Sequence, residues 1–258
     1  MSPKPIPALT LYRGFPSKPT YAWSPFVNKL ETRLRLSAVP YRAEPGSKQA
    51  APRGKLPYLA IQPPDAPAQV LGDSTLITRA LVSAGVLPDL NAALTPADRG
   101  RDLALRALLE DKMYFYLVRE RWVDNYYKMR AGALWAVPWA LRALVGLLAS
   151  RQVVAVLFGQ GTGRFDKEEV NGFKREVWEG VEGLLREART EAGPFWVLGG
   201  AQPTEGDAVV YGFVIAALVC DAAPEMQKMV REFPTIMEYA GRIHDAYFPD
   251  YDHWEEQV

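Results

Sequence analysis

The stretch from Gly54 to Leu81 constrains the fold most strongly, because several local signals follow one another within it. Leu56-Pro57 stands directly before the apolar run Tyr58–Ile61. Proline is tolerated at the first residue of a strand but is excluded from the interior of a central one. A strand is therefore predicted to begin after Pro57, and the Leu56-Pro57 bond is a candidate cis bond that would turn the Leu56 backbone outward.

The second half of the same stretch predicts a hairpin followed by a helix. A short strand is expected at Gln69–Leu71, after a loop rich in proline. Asp73 and Ser74 then precede a run of apolar residues that recur at helical spacing from residue 76 onward. Asp or Ser in this place is typical of an N-cap, so the helix is predicted to begin at about Ser74.

These local features favour a ligand as well as a fold. The free N–H groups at a helix N-terminus attract carboxylates. An extended residue before a proline can pair its backbone with a peptide, as an added strand does. The stretch is thus consistent with a site for a small, extended peptide that bears a carboxylate. A hairpin and a capped helix in any α/β domain explain it about equally well.

The preceding residues add a β-α-β order to this β-β-α unit. Residues 8–12 alternate as a short strand, and Ser24-Pro25 is typical of a helix start with serine at the N-cap and proline at the first position. A second strand is predicted at residues 39–44. In this order the chain resembles the N-terminal, thioredoxin-like domain of the glutathione transferases.

The resemblance implies a glutathione site. Leu56, before the cis-proline, would pair with the cysteinyl backbone of glutathione, and Asp73 and Ser74 would hold its γ-glutamyl end. The residues expected to bind glutathione are Ser24, Lys55, Leu56, Pro57, Asp73 and Ser74.

Ser24 is the expected catalytic residue. A helix N-terminus lowers the pKa of a thiol beside it, because the exposed N–H groups favour the anion. Ser24-Pro25-Phe26 resembles the thiolate-stabilising serine of the serine-type transferases. The loop before Ser24 is longer than in most members, so three other hydroxyls remain alternatives, and Tyr12 is a weaker one by analogy with the tyrosine-type enzymes. The three alternatives are Ser17, Thr20 and Tyr21.

Several further motifs resemble the failed-axon-connections and metaxin-like branch of the superfamily. Their order along the chain carries this resemblance. They are Ser24–Arg35, Gly54–Pro57, Glu110–Tyr116, Arg121-Trp122, Gly159–Arg164 and Tyr247–Asp250.

The rest of the chain is expected to be helical. We predict a thioredoxin-like domain at residues 1–84, a linker at 85–95 and an all-helical domain at 96–258. A long helix over 97–128 is rich in aromatic residues, which either pack in the core or line an apolar substrate pocket. The pocket candidates are Tyr114, Tyr116, Trp122 and Tyr126. Thr204 and Asp207 form a predicted capping box with a role in folding.

Composition excludes several other classes of protein. Lys and Arg total 30, as do Asp and Glu, so no basic field favours nucleic acid. The single cysteine, Cys220, and the two histidines argue against a metal site, and one cysteine fits a reducing, cytoplasmic compartment. The strongly apolar segment 131–158 is broken by Arg142 and Arg151 into runs too short to span a bilayer. We expect a buried or interface helix there, with a membrane-surface helix as the minority interpretation.

The resemblance implies a glutathione-dependent enzyme that directs the thiolate at a small apolar electrophile, by conjugation or isomerisation, in detoxification or secondary metabolism. Glutathione would be the co-substrate, no metal is expected, and transferase relatives suggest a homodimer. The alternative is a non-catalytic, transferase-like adaptor or ligand carrier that uses the segment 131–158 as a partner or membrane surface.

Overall fold

The computed structural model describes residues 7–15, 19–64, 67–190 and 193–255. Its N-terminal part contains strand β1 (Ala8–Tyr12), helix α1 (Pro25–Leu36), strands β2 (Arg42–Glu44), β3 (Tyr58–Gln62) and β4 (Gln69–Gly72), and helix α2 (Ser74–Ser83). The strands form a sheet in the order β2-β1-β3-β4, with β1 parallel to β2 and the other pairs antiparallel. The predicted thioredoxin-like order is confirmed.

One face of this sheet is closed by α1 and α2. Leu11 and Leu59 are directly paired across β1 and β3, and both are fully buried. They belong to a core with Leu30 and Leu34 of α1 and Ile77 of α2. Because the apolar residues of each helix recur every three or four positions, both helices present a continuous apolar stripe to the sheet.

The remainder of the chain is helical, as predicted. The α-helices are α3 (Pro96–Ala107), α4 (Tyr114–Arg119), α5 (Tyr126–Ala133), α6 (Trp139–Gln160), α7 (Lys167–Ala188), α8 (Glu205–Leu218), α9 (Pro224–Arg231) and α10 (Pro234–Tyr247). Helix α8 is almost wholly buried and packs against α1. The two helices meet closely at Gly212, where a Cβ atom would lie 2.8 Å from the carbonyl oxygen of Pro25, so this contact requires glycine.

The long helix predicted over residues 97–128 is interrupted. Two π-helical segments, Leu108–Met113 and Glu120–Asp124, lie on either side of α4, and the helix ends at Asn125. A π-turn adds a residue to the turn and shifts the register of the residues after it. Leu109 and Met113 of the first π-helical segment are buried, whereas Leu103 and Leu108 are exposed.

Helix α6 departs most from the sequence analysis. Of the two expected positions for the segment 131–158, buried or at an interface, the buried one is wrong, because α6 carries large apolar side chains on its outer surface and Trp139 is 84% exposed. The interface position stays a prediction. Its inner face is made of smaller residues around Gly146, which is buried. Among the described helices, α6 alone is long and apolar enough to cross a bilayer, by length and composition only.

Candidate functional site

The turn into β3 presents an unpaired backbone. The Leu56-Pro57 peptide bond is cis, as predicted, and Pro57 is buried. Within the described parts of the chain, the N–H and C=O groups of Leu56 have no hydrogen-bond partner. The Leu56 side chain lies against Gly14, whose positive φ of 73° places the loop after β1 beside this turn. The backbone of Leu56 is therefore free to pair with an extended ligand.

The N-terminus of α2 carries an acidic cap. Asp73 is the N-cap, and its Oδ1 atom accepts from the N–H groups of Thr75 and Leu76, both at 3.0 Å. The Asp73 side chain is exposed, and its Oδ2 atom has no partner among the described residues. Ser74, next to it, is 3% exposed. Together they offer a carboxylate oxygen for an amino group and helix N–H groups for a carboxylate.

The backbone of Asp73 is itself unusual. Its φ angle is +78°, a region that residues other than glycine rarely adopt. Such conformations cluster at ligand sites, where the surrounding structure holds them. Here the two N-cap hydrogen bonds hold the carboxylate, and the preceding residue, Gly72, is paired with Tyr58 in the sheet. The observed conformation therefore supports a binding role for this corner.

A second cation joins Lys55 near this corner. The side chain of Arg53 packs against Gly72, where a Cβ atom would lie 3.4 Å from Arg53 Cγ, so Arg53 borders the residue before Asp73. Lys55 and Arg53 are both exposed and flank Gly54, whose φ is +62°. Sequence reasoning named Lys55 alone. The pattern Arg-Gly-Lys directly before Leu-Pro is the signal that would have found Arg53.

Ser24 is placed at the N-terminus of α1. It is the N-cap residue, half-buried, and its Oγ atom accepts from the N–H of Val27 at 3.4 Å. The chain before it is anchored by Arg121, which is buried and donates to the carbonyl oxygens of Trp23 and Ala216 at 2.7 and 2.9 Å. The backbone directly before Ser24 is therefore fixed by hydrogen bonds from Arg121, which lies in the helical part of the protein.

The other hydroxyls of the long loop are positioned differently. Tyr21 is buried, and its hydroxyl oxygen lies 2.7 Å from both the Tyr211 hydroxyl and His244 Nδ1. Burial raises the pKa of Tyr21 above its usual range. Thr20 offers its carbonyl oxygen to the Arg13 guanidinium. Ser17 lies outside the described residues.

Tyr12, the weaker alternative, stacks on a neighbouring strand. Its ring lies 4.4 Å from that of Tyr58, nearly parallel to it, across the β1–β3 pair. It therefore belongs to the sheet at this place rather than to the loop that leads to Ser24.

The four aromatic residues predicted to line one pocket are spread over different faces. Tyr114 packs edge-on against Phe26 of α1, with ring centroids 5.0 Å apart. Tyr116 stacks instead on Phe173 of α7, because residues two apart on a helix point in nearly opposite directions. Tyr114 therefore contacts Phe26, which is the residue directly after Ser24-Pro25 in the chain. Burial raises the pKa of both tyrosines.

Trp122 and Tyr126 also lie apart from that contact. Trp122 is buried in the second π-helical segment. Tyr126 is the first residue of α5. Its hydroxyl oxygen lies beside Gly146 of α6, so close that a Cβ atom at Gly146 would be 2.9 Å from it. The structure brings Tyr126 to α6, and the grouping of the four as one substrate wall stays a prediction.

A cleft of about 350 Å³, lined mostly by polar residues, runs along α2 from Thr75 to Ser83 and borders α1 and α3. The Lys29 Nζ atom of α1 reaches into it, donating to Thr75 Oγ1 at 2.9 Å and pairing with Glu110 Oε1 at 2.5 Å. Lys29 is buried and Glu110 lies in the first π-helical segment, so the pair links α1, α2 and the helical part. Sequence reasoning missed Lys29, because a lysine on α1 carries no local signal. Among the described residues, no cluster of three or more His, Cys, Asp or Glu could hold a metal ion.

Comparison with known proteins agrees with this architecture. Residues 25–129 match the family model of the glutathione S-transferase N-terminal domain. Among solved structures, glutathione transferase GSTFuA2 from Phanerochaete chrysosporium is similar, with a TM-score of 0.61 and 17% identity over 93% of this chain and 98% of that one. Glutathione transferase Omega 2S from Trametes versicolor has a TM-score of 0.53 and 15% identity, over 97% and 94% of the two chains.

A bacterial relative extends the comparison. Maleylacetoacetate isomerase from Anaeromyxobacter dehalogenans has a TM-score of 0.50 and 16% identity, over 98% of this chain and 97% of that one. At identities of this size, the TM-scores of 0.50 to 0.61 establish a shared fold and no more. The chain therefore has the fold of the glutathione transferases.

Proposed function

We propose that this protein is a glutathione-dependent transferase that stabilises the glutathione thiolate for attack on a small apolar electrophile. The observation that carries the proposal is the unpaired backbone of Leu56, before the cis-proline, together with the exposed Asp73 Oδ2 and the N–H of Ser74, which the Asp73 cap leaves free among the described residues. These groups complement a peptide backbone, an α-amino group and an α-carboxylate, which the γ-glutamyl-cysteinyl part of glutathione carries together.

Each end of glutathione has a chemically suitable partner in this arrangement. Asp73 would hold the γ-glutamyl amino group and the N-terminus of α2 its carboxylate. Leu56 would pair with the cysteinyl backbone. Arg53 and Lys55 supply positive charge for the glycyl carboxylate, beyond the sheet edge.

The reaction can be derived from the position of Ser24. Free thiols have a pKa near 8.5, so a minor fraction is ionised at neutral pH. The N–H groups at the start of α1 and the Ser24 hydroxyl, as a donor to sulfur, would favour the thiolate, and the thiol proton leaves to solvent. In conjugation a carbon–sulfur bond forms and the leaving group departs with its electron pair. In isomerisation the same bond forms reversibly, rotation occurs in the adduct and glutathione is released.

Two further observations bear on the substrate and the branch. The similar isomerase from Anaeromyxobacter dehalogenans was solved with dicarboxyethyl glutathione and citrate bound in its active site, which favours thioether chemistry on this fold. We extend the proposal to a cytoplasmic homodimer acting in detoxification or secondary metabolism, in the failed-axon-connections and metaxin-like branch, on the resemblance described above.

Titration calorimetry with reduced glutathione tests the proposal. Wild type should bind with a Kd between micromolar and millimolar, and an ultraviolet difference spectrum should show the thiolate band. Asp73→Asn keeps a good N-cap and tolerates positive φ, so it removes the charge alone and should weaken binding by about tenfold or more.

The matched control is Asp166→Asn. Asp166 caps α7 through the N–H of Glu169, so this variant removes the charge of a helix-capping aspartate away from the candidate site and keeps a good N-cap. Glutathione binding should be unchanged in it. Absence of wild-type binding at several millimolar glutathione would overturn the proposal.

The exposed surface of α6 favours a second candidate, a non-catalytic adaptor or ligand carrier on the same fold. An apolar helix that the chain itself leaves uncovered is typical of an interaction site. Wild type that binds glutathione without a thiolate band, and without turnover of any tested electrophile, would support this candidate against the enzyme.

A further inference from the structure

The outer surface of α6 is largely apolar. Leu144 and Leu148, one helical turn apart, are 59% and 58% exposed, and Leu141 and Val154 extend the same surface in both directions, with Arg151 and Gln152 as the exposed polar residues between Leu148 and Val154. An isolated surface leucine needs no explanation, but a cluster of exposed apolar side chains on both sides of one arginine marks a contact surface. We propose that α6 binds the surface of an anionic lipid bilayer, lying in the plane of the membrane.

Charge selects the partner. Between residues 125 and 165 there is no Asp or Glu, yet the segment holds five basic residues in a chain that is neutral overall. They are Lys128, Arg130, Arg142, Arg151 and Arg164. Within the described parts of the chain, none of the five forms a salt bridge. Arg130 and Arg142 contact neighbouring residues on the inner side of α6, which leaves Lys128, Arg151 and Arg164 as the exposed cations. An apolar helix with exposed cations beside it complements acyl chains and acidic headgroups together.

The ends of α6 carry residues suited to the headgroup region. Trp139, at its first position, is the most exposed of the large apolar side chains, and tryptophan is enriched at the membrane–water interface. At the other end the guanidinium of Arg164 lies over the Phe158 ring, 5.1 Å from its centroid. Arg151 projects from the middle of the helix on a long apolar stem, which allows its charge to reach the headgroups.

The packing of the inner face argues against a spanning orientation. At Gly146 a Cβ atom would lie 2.6 Å from Arg130 Cδ, so α6 is in close contact with α5 there. Leu157 is buried, and Arg142 donates to the carbonyl oxygens of Trp135 and Val137 at 2.9 and 2.7 Å. A helix of 22 residues is about 33 Å long and could cross a bilayer only by losing these contacts.

The same charges argue against a second copy of the chain as the partner. In a two-fold interface the same surface patch faces itself. Arg151 lies near the middle of α6, so an antiparallel pair of α6 helices would bring two arginines together with no carboxylate in the segment to neutralise them. Anionic lipid supplies the opposite charge that a second copy lacks.

Flotation with lipid vesicles tests the proposal, and it does not depend on glutathione binding. The purified full chain is mixed with vesicles of phosphatidylcholine alone or of phosphatidylcholine with about 30 mol% phosphatidylserine, comparable to the anionic content that gives a cytoplasmic leaflet its potential. Wild type should float with the anionic vesicles and be released by high salt.

Two variants separate the apolar and charge contributions. The double variant Leu144→Glu, Leu148→Glu should abolish flotation. Its matched control is Leu103→Glu, Leu184→Glu, which alters two exposed leucines on α3 and α7 and should float like wild type. Arg151→Glu should weaken partitioning by about fivefold or more, and Arg151→Lys should preserve it.

The proposal is overturned if wild type remains unbound with both vesicle types at low salt. It is also overturned if wild type and the double variant Leu144→Glu, Leu148→Glu float equally. Protein that resists extraction by high salt and alkaline carbonate would indicate a spanning helix instead. A wild-type dimer that the same double variant makes monomeric, without flotation, would assign the surface to a second copy.

Discussion

The hydroxyl oxygens of Tyr21 and Tyr211 lie 2.7 Å apart in the interior, where the long loop before α1 meets α8. His244 Nδ1 lies equally close to the Tyr21 hydroxyl and completes a buried polar cluster. This cluster uses the hydrogen-bonding capacity of Tyr21 for anchoring the loop. The described hydroxyls of that loop left as candidates to meet a thiol are those of Thr20 and Ser24, and Ser24, at the N-terminus of α1, is the one that we predict.

Replacing Ser24 should raise the pKa of the thiol of bound glutathione. Ser24→Ala removes a hydroxyl donor to the thiolate, and a hydrogen bond to a charged group contributes about 1.5–3 kcal/mol, which corresponds to about 1–2 pKa units. The midpoint of the thiolate absorption against pH in the glutathione complex should move upward by that amount. Ser24→Thr should restore it, and an unchanged midpoint in Ser24→Ala would exclude Ser24 from the role.

Replacing Tyr21 should lower the stability of the fold and leave the thiol pKa of bound glutathione unchanged. Tyr21→Phe leaves the Tyr211 hydroxyl short of a buried partner, which should lower the free energy of unfolding by about 1–3 kcal/mol in urea titrations. The thiolate midpoint of bound glutathione should equal that of wild type. A shifted midpoint would make Tyr21 a candidate for the catalytic hydroxyl again.

Breaking the buried pair of Lys174 and Glu120 should be strongly destabilising. Lys174 Nζ lies 2.5 Å from Glu120 Oε2, both side chains are 1% exposed, and Glu120 also accepts from the N–H of Glu225. Lys174→Met leaves a buried carboxylate without its cation, at a cost of about 3–5 kcal/mol in unfolding free energy.

The neighbouring pair of Arg175 and Glu232 provides the comparison, since both side chains are more than two-fifths exposed. Arg175→Ala should change the unfolding free energy by less than about 1 kcal/mol. Similar losses of unfolding free energy in Lys174→Met and Arg175→Ala would contradict the difference in burial between the two ion pairs.

Glu182 should make stability depend on acid. Although burial opposes ionisation, hydrogen bonds from the Thr235 hydroxyl at 2.7 Å and the Ile236 N–H at 3.0 Å lower the pKa of this carboxyl below its usual value. The ionised form is thus favoured in the folded state. Its stabilising contribution is present above the ordinary pKa of about 4.3 and is lost as the pH falls through the lowered value.

The measurement compares wild type with Glu182→Gln. The variant should be less stable at pH 7 by about 1–3 kcal/mol, because the carboxylate caps the start of α10. The difference in unfolding free energy should narrow towards pH 3. A difference that stays constant between the two pH values would contradict the lowered pKa.

The backbone of Asp73 predicts an order among substitutions. Asp73→Ala loses the cap to Thr75 and Leu76 and keeps a side chain at φ of +78°, so the unfolding free energy should fall by about 1–2 kcal/mol. Asp73→Gly should cost only a few tenths, because glycine adopts positive φ freely. Equal losses of unfolding free energy in the two variants would contradict the predicted cost of placing alanine at this positive φ.

Much of the architecture could be predicted from local chemistry. The strand after Pro57, the helix capped by Asp73, the helix begun at Ser24-Pro25 and the capping box of Thr204 and Asp207 are all present. Each of these depends on a residue type acting on its immediate neighbours along the chain, such as a proline that restricts φ or a side-chain oxygen that accepts from a free N–H.

Other features required the folded protein. The partner of Lys29, Glu110, is 81 residues away, and Arg53 gains its relevance only from packing against Gly72. The π-helical segments interrupt the predicted long helix, and aromatic residues from one stretch of the sequence pack against Phe26 and Phe173 on different helices.

Helix α6 shows the boundary between the two kinds of information. The sequence determined that the segment is apolar, basic and free of acidic residues. Whether such a segment is buried depends on which face finds a partner, and that is decided by packing between elements distant in the chain. The small residue Gly146 allowed α5 to approach one face, and the large apolar side chains were left on the other. The hydrophobicity of a sequence measures how strongly its side chains favour leaving water, whereas only the tertiary structure determines which groups those side chains contact instead.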